Sequence, residues 1–200
     1  RAEHAQTRWA AVTNAQFTAN WVHSLTNPIP LSGSGELRAA NASSRWGGAG
    51  DVRLTARLAT ATNPPTADAS WSWWTNLQPY QLEWDAELTR LQSDKLVAER
   101  ISCAGLWCTP VLTVTNLQAG LHEGSLGASA TLNVSTRAVE FNAGWDFDVK
   151  RISELLPEGA RRWLTRYTWD DAPHVRGSGA VILPAWTNRQ PDWRVEVQPT

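Results

Sequence analysis

Strict two-residue alternation of apolar and polar side chains is the feature that most constrains how this chain folds. Between residues 80 and 88 every second residue is apolar, and Gln81, Glu83, Asp85 and Glu87 fill the intervening positions. The same alternation runs through residues 52–58, 126–134 and 139–149. A period of two places one side of an extended strand in an apolar environment and the other in water. It therefore predicts antiparallel strands with one exposed face, because strands of parallel sheets are buried on both faces.

Six weaker stretches complete a predicted set of about ten strands. Glycine, proline and asparagine clusters typical of turns separate them, including Gly33-Ser34-Gly35 and Gly177-Ser178-Gly179. The weaker stretches are residues 16–22, 35–40, 96–103, 111–117, 175–183 and 193–197. We expect a mainly β fold made of one curled antiparallel sheet, in the form of a trough, an open barrel or a sandwich. Residues 1–200 form a single β-rich domain in this interpretation, as a segment of a larger protein.

One helical segment is predicted near residues 150–167. Ile152, Leu155 and Leu156 have helical spacing, and Trp163 with Leu164 continues that spacing after Pro157. Proline suits the first turn of a second helix. We expect Arg161, Arg162 and Arg166 on the wetter sides, and we expect Leu155, Leu156 and Trp163 to cap one end of the sheet.

Charge and composition exclude two classes of protein. The chain has 18 basic and 19 acidic residues, which gives a net charge of −1 and argues against nucleic acid as the main partner. No apolar run is long enough for a transmembrane helix. Tryptophan is strongly over-represented, with 13 residues in the chain. Its large amphipathic ring suits apolar surfaces that meet water, and it also serves as core filler.

The residues with catalytic or metal-binding chemistry form no recognisable site. The two cysteines, Cys103 and Cys108, lie five positions apart, so on one strand they face opposite sides and cannot pair without a turn. We favour two separate thiols over a disulfide. Four dispersed histidines and the absence of a nucleophile elbow or phosphate-binding loop predict no metal, no cofactor and no catalytic residue.

Two carboxylate pairs, Asp146 with Asp148 and Asp170 with Asp171, leave an enzymatic alternative open. Paired carboxylates flank the scissile bond in glycosidases, and tryptophan stacks on sugar rings. Asp146 and Asp148 also fit the wet positions of an alternating strand, and we favour that interpretation. A carbohydrate-binding or glycoside-hydrolysing β-sandwich is therefore the alternative function, and an outer-membrane barrel is a third hypothesis.

The apolar positions of separate strands form the candidate binding surface. Long strands each present one apolar face, yet only one helical segment is predicted to cover it, so the face meets itself, the helix or a ligand. We expect acyl chains to bind on this face. The expected lining residues are Leu54, Leu82, Trp84, Leu132, Phe141, Trp145 and Phe147.

The C-terminal half resembles the AsmA-like family, which includes TamB-type envelope proteins. The resemblance rests on residues 117–126, in which hydrophobic residues precede the glycine turn before Ser125, followed by the alternating residues 128–134. It continues through residues 141–149 into the Leu-rich stretch 152–156. His122-Glu123-Gly124 stands where the family has an aromatic residue followed by two glycines.

The resemblance implies a non-enzymatic module of the bacterial envelope. Such a module would lie in the periplasm of a Gram-negative-type bacterium and would be anchored in the inner membrane by a part of the chain outside this segment. Lipid acyl chains or envelope proteins would be its partners, in lipid transport or outer-membrane biogenesis. The family supplies no catalytic residue and no cofactor to carry over.

Overall fold

The structure is a computed structural model of the 200-residue chain. It describes residues 1–6, 10–44, 47–62, 64–93, 96–121, 124–155, 158–170, 172–186 and 194–198. Eleven strands in these ranges form one antiparallel sheet, in which each strand pairs with its neighbours in sequence. The strands are β1 (Ala2–Gln6), β2 (Ala10–Ser24), β3 (Asn27–Ser44), β4 (Gly47–Thr60), β5 (Tyr80–Gln92), β6 (Val97–Cys108), β7 (Val111–Leu121), β8 (Gly124–Asn133), β9 (Ala138–Trp145), β10 (Val175–Ile182) and β11 (Arg194–Gln198).

The predicted mainly β fold is confirmed, and the sheet is open. Across the described residues, each strand pairs with the strands adjacent to it in sequence, and β1 does not pair with β11. All eleven strands of these ranges belong to one sheet, which excludes the sandwich among the three expected forms. All six weaker stretches coincide with strands, although Leu96 and Leu183 lie one residue beyond the ends of β6 and β10 and Trp193 is outside the described residues.

Two predicted turns are instead interior parts of strands. Gly33-Ser34-Gly35 lies in β3 and Gly177-Ser178-Gly179 lies in β10. Glycine is uncommon inside strands and marks places where other groups approach closely. Here the closest group is the neighbouring strand: a β-carbon at Gly33 would lie 2.9 Å from the carbonyl oxygen of Asn20 and 3.1 Å from the Cβ of Trp21. Gly33 thus lets β2 approach β3 closely.

Irregular residues at one level of the sheet shift the alternation of its strands. Asn14 in β2, Asn41 in β3 and Arg90 in β5 have positive φ values of 50°, 49° and 51°, and the regular pairing is interrupted at each of them. The interruption at Asn14 is a bulge that shifts the register, whereas pairing resumes in the same register beyond Asn41 and Arg90. At this level of the sheet the buried alanines Ala49 and Ala98 lie three positions, rather than two, before the next apolar residue of their strand.

In the part of the chain that the structure describes, three helical segments interrupt the sheet, and the sequence predicted only the later two. A 3-10 helix spans Ala69–Leu77, which we call the Trp-rich helix, a second 3-10 helix spans Val149–Leu155, and α1 spans Glu158–Leu164. The Trp-rich helix has weak intrinsic helix signals, since serine, tryptophan and asparagine are poor helix formers. Its Asp68 N-cap accepts a hydrogen bond from Ser70 N at 2.8 Å, and contacts with the sheet stabilise the rest.

Candidate functional site

The apolar sides of the strands form one continuous surface, which we call the apolar face. Register establishes it, because residues directly opposite in an antiparallel pair project to the same side. Leu54 pairs with Ala86, Trp84 pairs with Gly105, and Leu132 pairs with Val139. Its large residues on β2–β10 are Phe17, Trp21, Leu37, Val52, Leu54, Leu58, Leu82, Trp84, Leu88, Ile101, Trp107, Leu112, Val114, Leu117, Leu126, Leu132, Val139, Phe141, Trp145, Val175 and Val181.

Six of the seven expected lining residues lie on this face within strands. They are Leu54, Leu82, Trp84, Leu132, Phe141 and Trp145. The seventh, Phe147, lies beyond the end of β9 and is only 2% exposed. The expectation that alternation continues as a strand to residue 149 is therefore wrong, because the chain turns after Trp145.

A layer of tryptophan rings covers one end of the apolar face. Trp71 and Trp74 of the Trp-rich helix pack on Trp107, with Val134 in the same buried cluster. The ring centroids of Trp74 and Trp107 are 5.4 Å apart and nearly parallel. Trp107 Nε1 donates a hydrogen bond to the carbonyl oxygen of Leu77 at 2.8 Å, which ties the helix to β6. This end of the face is thus a packed core.

The opposite end of the apolar face is closed by residues that follow β9. Phe147 packs with Ala98, Ala119 and Leu121, and Ile152 of the second 3-10 helix lies against this cluster. The expected cap by Trp163 is wrong, because the residues that close this end are Phe147 and Ile152. Trp163 is 54% exposed, and the Leu155 side chain and Leu156 are outside the described residues.

Near β2, away from these closed ends, a shallow groove leaves the apolar face uncovered. Its volume is about 430 Å³. Phe17, Trp21 and Leu54 border it and are 67%, 60% and 40% exposed. Leu37, Leu58 and Leu82 complete its apolar lining, and no charged residue lines it. Such large exposed apolar side chains in one patch are typical of binding surfaces.

Sequence reasoning missed Phe17 and Trp21 as lining residues. Both belong to the weaker alternating stretch 16–22, in which Phe17, Ala19 and Trp21 occupy every second position. Their alternation was visible, but their exposure was not. It accords with the position of β2 near the edge of the sheet, since neither buried cluster of the described residues includes a residue of β2.

The polar face of the sheet carries a larger groove of 840 Å³, in which Glu36 is paired with arginines. Glu36 accepts hydrogen bonds from Arg38 Nε and Arg53 Nε, both at 2.8 Å, and these arginines hold the pKa of the Glu36 carboxyl below its ordinary value. The Thr55 hydroxyl donates a hydrogen bond to the Asp85 carboxylate. Cross-strand pairing of this kind is a feature of solvated strand surfaces, so we assign this groove no binding role.

Asp146 and Asp148, which were considered for glycosidase chemistry, accept hydrogen bonds from the nearby backbone. Asp146 accepts hydrogen bonds from the backbone N–H and the hydroxyl of Ser125, and this lowers the pKa of Asp146 below its ordinary value. Asp148 accepts from the backbone N–H of Lys150 at 3.0 Å. Because β9 ends at Trp145, these two aspartates lie in a turn rather than on a strand, contrary to expectation. Asp170 is exposed, and Asp171 is outside the described residues.

Both cysteines are free, as we favoured. Cys103 is half-buried on the apolar face and Cys108 is exposed on the polar side of the same strand. Burial raises the pKa of the Cys103 thiol. In the described ranges, no group of three or more His, Cys, Asp or Glu side chains is arranged to hold a metal ion.

Comparison of the chain with family models, with curated proteins and with solved structures found no match. None of the helices in the described part of the chain has the length and apolar character needed to cross a membrane.

Proposed function

We propose that the apolar face binds lipid acyl chains, and that the protein is an AsmA-like, TamB-type module of the bacterial envelope. In this proposal it is non-enzymatic and acts in lipid transport or outer-membrane biogenesis. The periplasmic location and an inner-membrane anchor elsewhere in the chain belong to the same proposal. The observation that carries it is the uncovered apolar groove beside Phe17, Trp21 and Leu54.

Free energy supports a ligand on this surface. Removing a large apolar side chain from water is favourable by about 1.5–3 kcal/mol when the side chain becomes fully buried. Phe17, Trp21 and Leu54 each keep at least 40% of their surface exposed, so much of this free energy is available to a ligand. A groove on a sheet that is already formed also costs little reorganisation on binding.

The chemistry of the lining favours hydrocarbon over sugar. The groove contains aliphatic and aromatic side chains and the small residues Gly33, Gly35 and Ala56, with Asn20, Ser34 and Thr55 as its polar members. Sugar sites need several polar groups to fix hydroxyls, in addition to aromatic platforms. The core tryptophans that a sugar site would use, Trp74 and Trp107, are stacked on each other.

Co-purified lipid provides the test. The protein is purified from a bacterial envelope fraction, and an organic extract is analysed by mass spectrometry, with binding of a fluorescent fatty acid measured on the delipidated protein. Wild type should carry fatty-acyl lipid. Leu54→Glu should lose it and should still fold, because this side chain is 40% exposed and a carboxylate there stays hydrated.

Ala59→Glu is the matched control. Ala59 lies on the same strand as Leu54 and projects from the opposite, polar face, where it is exposed. It should retain wild-type lipid content and wild-type fatty-acid affinity. Wild type without lipid and without fatty-acid binding, or equal binding in wild type and folded Leu54→Glu, would show that the face is not an acyl-chain site.

A further inference from the structure

We propose that an aromatic and basic surface between β9 and β10 docks the protein on an anionic lipid membrane. This surface, which we call the arginine–aromatic surface, consists of Arg161, Arg162, Trp163, Arg166 and Tyr167. It lies outside the apolar groove and shares no residue with it. The inference therefore stands separately from acyl-chain binding.

Helical geometry places these side chains in adjacent exposed rows. The turns continue past α1, since Thr165 N donates to Arg161 O at 3.2 Å and Tyr167 N donates to Leu164 O at 3.2 Å. Residues four apart share a side of a helix, so Trp163 lies beside Tyr167. Their ring centroids are 4.6 Å apart.

Exposure separates this surface from the core of the protein. Trp163 and Tyr167 are 54% and 47% exposed, whereas the intervening Leu164 is only 7% exposed. Leu164 is thus the inward-facing residue of the segment. The two large aromatic rings do not serve as core filler, which was the simplest explanation for the abundance of tryptophan.

Positive charge is concentrated around the rings, although the whole chain has a net charge of −1. Arg161, Arg162 and Arg166 are all exposed, and the local acidic residue, Glu158, lies 3.7 Å from Arg162. Both partners of that ion pair are more than 70% exposed, so solvent screens it strongly. Asp170, three residues after Tyr167, marks the acidic boundary of the surface.

A fourth cation and a further indole adjoin the surface. Lys150 Nζ lies 4.3 Å from the centroid of the Trp169 ring and donates a hydrogen bond to the carbonyl oxygen of Tyr167 at 2.6 Å. Lys150 belongs to the second 3-10 helix, so these contacts connect that helix to the end of the surface. Lys150 thereby adds a positive charge beside Tyr167.

The combination of residues fits a membrane surface. Tryptophan and tyrosine concentrate at membrane–water interfaces, where the ring meets hydrocarbon and the polar edge meets headgroups. Arginine pairs with phosphate through several N–H groups at once, and basic clusters are attracted to anionic lipid surfaces. An acidic protein or a nucleic acid would be attracted by the arginines and does not require half-exposed aromatic rings. Stacking of nucleic-acid bases on these rings is an outcome that the test distinguishes.

The position of the surface connects it with the end of the apolar face. The second 3-10 helix contacts α1, and its Ile152 packs with the cluster of Phe147 and Trp145. A membrane bound at the arginine–aromatic surface would consequently lie next to the end of the sheet that Phe147 closes. The tryptophan-covered end of the sheet would point away from it.

Vesicle flotation tests the proposal directly. Vesicles of pure phosphatidylcholine are compared with vesicles of three parts phosphatidylcholine to one part phosphatidylglycerol, at low and at high salt. Wild type should float with the anionic vesicles, should bind the neutral ones far more weakly, and should be released by salt. Arg162→Glu with Arg166→Glu should weaken binding to the anionic vesicles about 30-fold or more, on the scale known for two surface cations.

The matched control reverses two arginines elsewhere. Arg57→Glu with Arg176→Glu changes the net charge equally, at exposed positions on the polar face of the sheet. This control should bind like wild type. An equal loss in the control, or unchanged binding of Arg162→Glu with Arg166→Glu, would overturn the proposal.

Two further measurements separate the possible partners. Trp163→Ser with Tyr167→Ser should also weaken vesicle binding, because the rings no longer enter the interface. Tight binding of a single-stranded oligonucleotide that displaces the vesicles would instead assign the surface to nucleic acid and overturn the proposal. Fatty-acid binding by the same variants should be unchanged, so a failure of membrane docking and a failure of acyl-chain binding give different results.

Discussion

The indole ring of Trp84 lies across Gly105 of the neighbouring strand, in the middle of the apolar face. A β-carbon at Gly105 would lie 2.6 Å from Cζ2 of Trp84, well inside van der Waals contact. Trp84 and Gly105 are direct partners in the β5–β6 register. The absence of a side chain on one strand therefore determines where the largest side chain of the other strand rests.

Gly105→Ala should destabilise the protein by about 1–3 kcal/mol, the range for overpacking a well-packed site. The added methyl group also meets the backbone of β7 at Thr113, which cannot move aside as a side chain can. Urea unfolding followed by circular dichroism measures the change. Gly177→Ala is the control, since no atom lies within 4 Å of the added carbon, and its free energy of unfolding should change little.

Trp107→Ala should cost about 3–5 kcal/mol, because it removes the centre of the buried tryptophan layer. Trp107 is 1% exposed, and its loss also leaves the carbonyl oxygen of Leu77 without its 2.8 Å hydrogen bond. Trp73→Ala should cost only about 0.5–1.5 kcal/mol, the value of its stacking on Trp74, because Trp73 is 56% exposed. Equal losses of unfolding free energy in the two variants would contradict this ranking. If Trp107→Ala does not fold, the milder Trp107→Phe variant tests the same ranking.

Asp146 should make stability depend on acid pH. Its pKa is lowered in the folded protein by the two hydrogen bonds from Ser125, so the ionised form is the one that the fold stabilises. This contribution is present above the pKa of the unfolded chain and is lost as the pH falls through the lower pKa of the folded state. The stability difference between wild type and Asp146→Asn should therefore be constant near neutral pH and disappear in acid.

Urea unfolding of both proteins at a series of pH values measures this difference. Ser125→Ala, which removes one of the two donors, should show a smaller version of the same dependence. A difference that stays constant into strong acid would mean that Asp146 does not act as a carboxylate clamp. Neither Asp146→Asn nor Asp148→Asn should alter the acyl-chain content of the folded protein.

The two thiols should differ in reactivity and should not form a disulfide. Cys108 is exposed, whereas Cys103 is half-buried and burial raises its pKa, so less of it is thiolate at neutral pH. Alkylation without a reductant should label both residues, Cys108 first, as read by peptide mass spectrometry. An intramolecular disulfide between them in the native protein would contradict the β6 geometry, which places them on opposite faces.

Alternation in the sequence predicted the β fold because its physical origin is local. Side chains of a strand point alternately to two sides whatever the strand is packed against. The pattern around Trp84 therefore predicts that the segment is a strand, which of its residues share a face with Trp84, and which are polar. None of this requires information from the rest of the chain. The placement of Leu54, Leu82, Leu132 and Phe141 on one face follows from the same property.

The end of a strand is less visible, and Phe147 shows why. The alternation of residues 139–149 continues past Trp145, but the chain turns there, because the carboxylate of Asp146 accepts hydrogen bonds from Ser125 on β8. That bond joins residues 21 apart in sequence. Sequence pattern alone does not contain such a long-range interaction.

The sequence by itself determined that the strands are amphipathic, antiparallel and apolar on one side. Only the tertiary structure decided which part of that apolar side is core and which part is surface. The Trp-rich helix is a poor helix former by propensity, and it folds because Trp71 and Trp74 pack on Trp107. The exposure of Phe17 and Trp21 has the converse cause. In the described part of the chain neither buried cluster includes a residue of β2, and burial depends on what lies opposite a side chain rather than on the side chain itself.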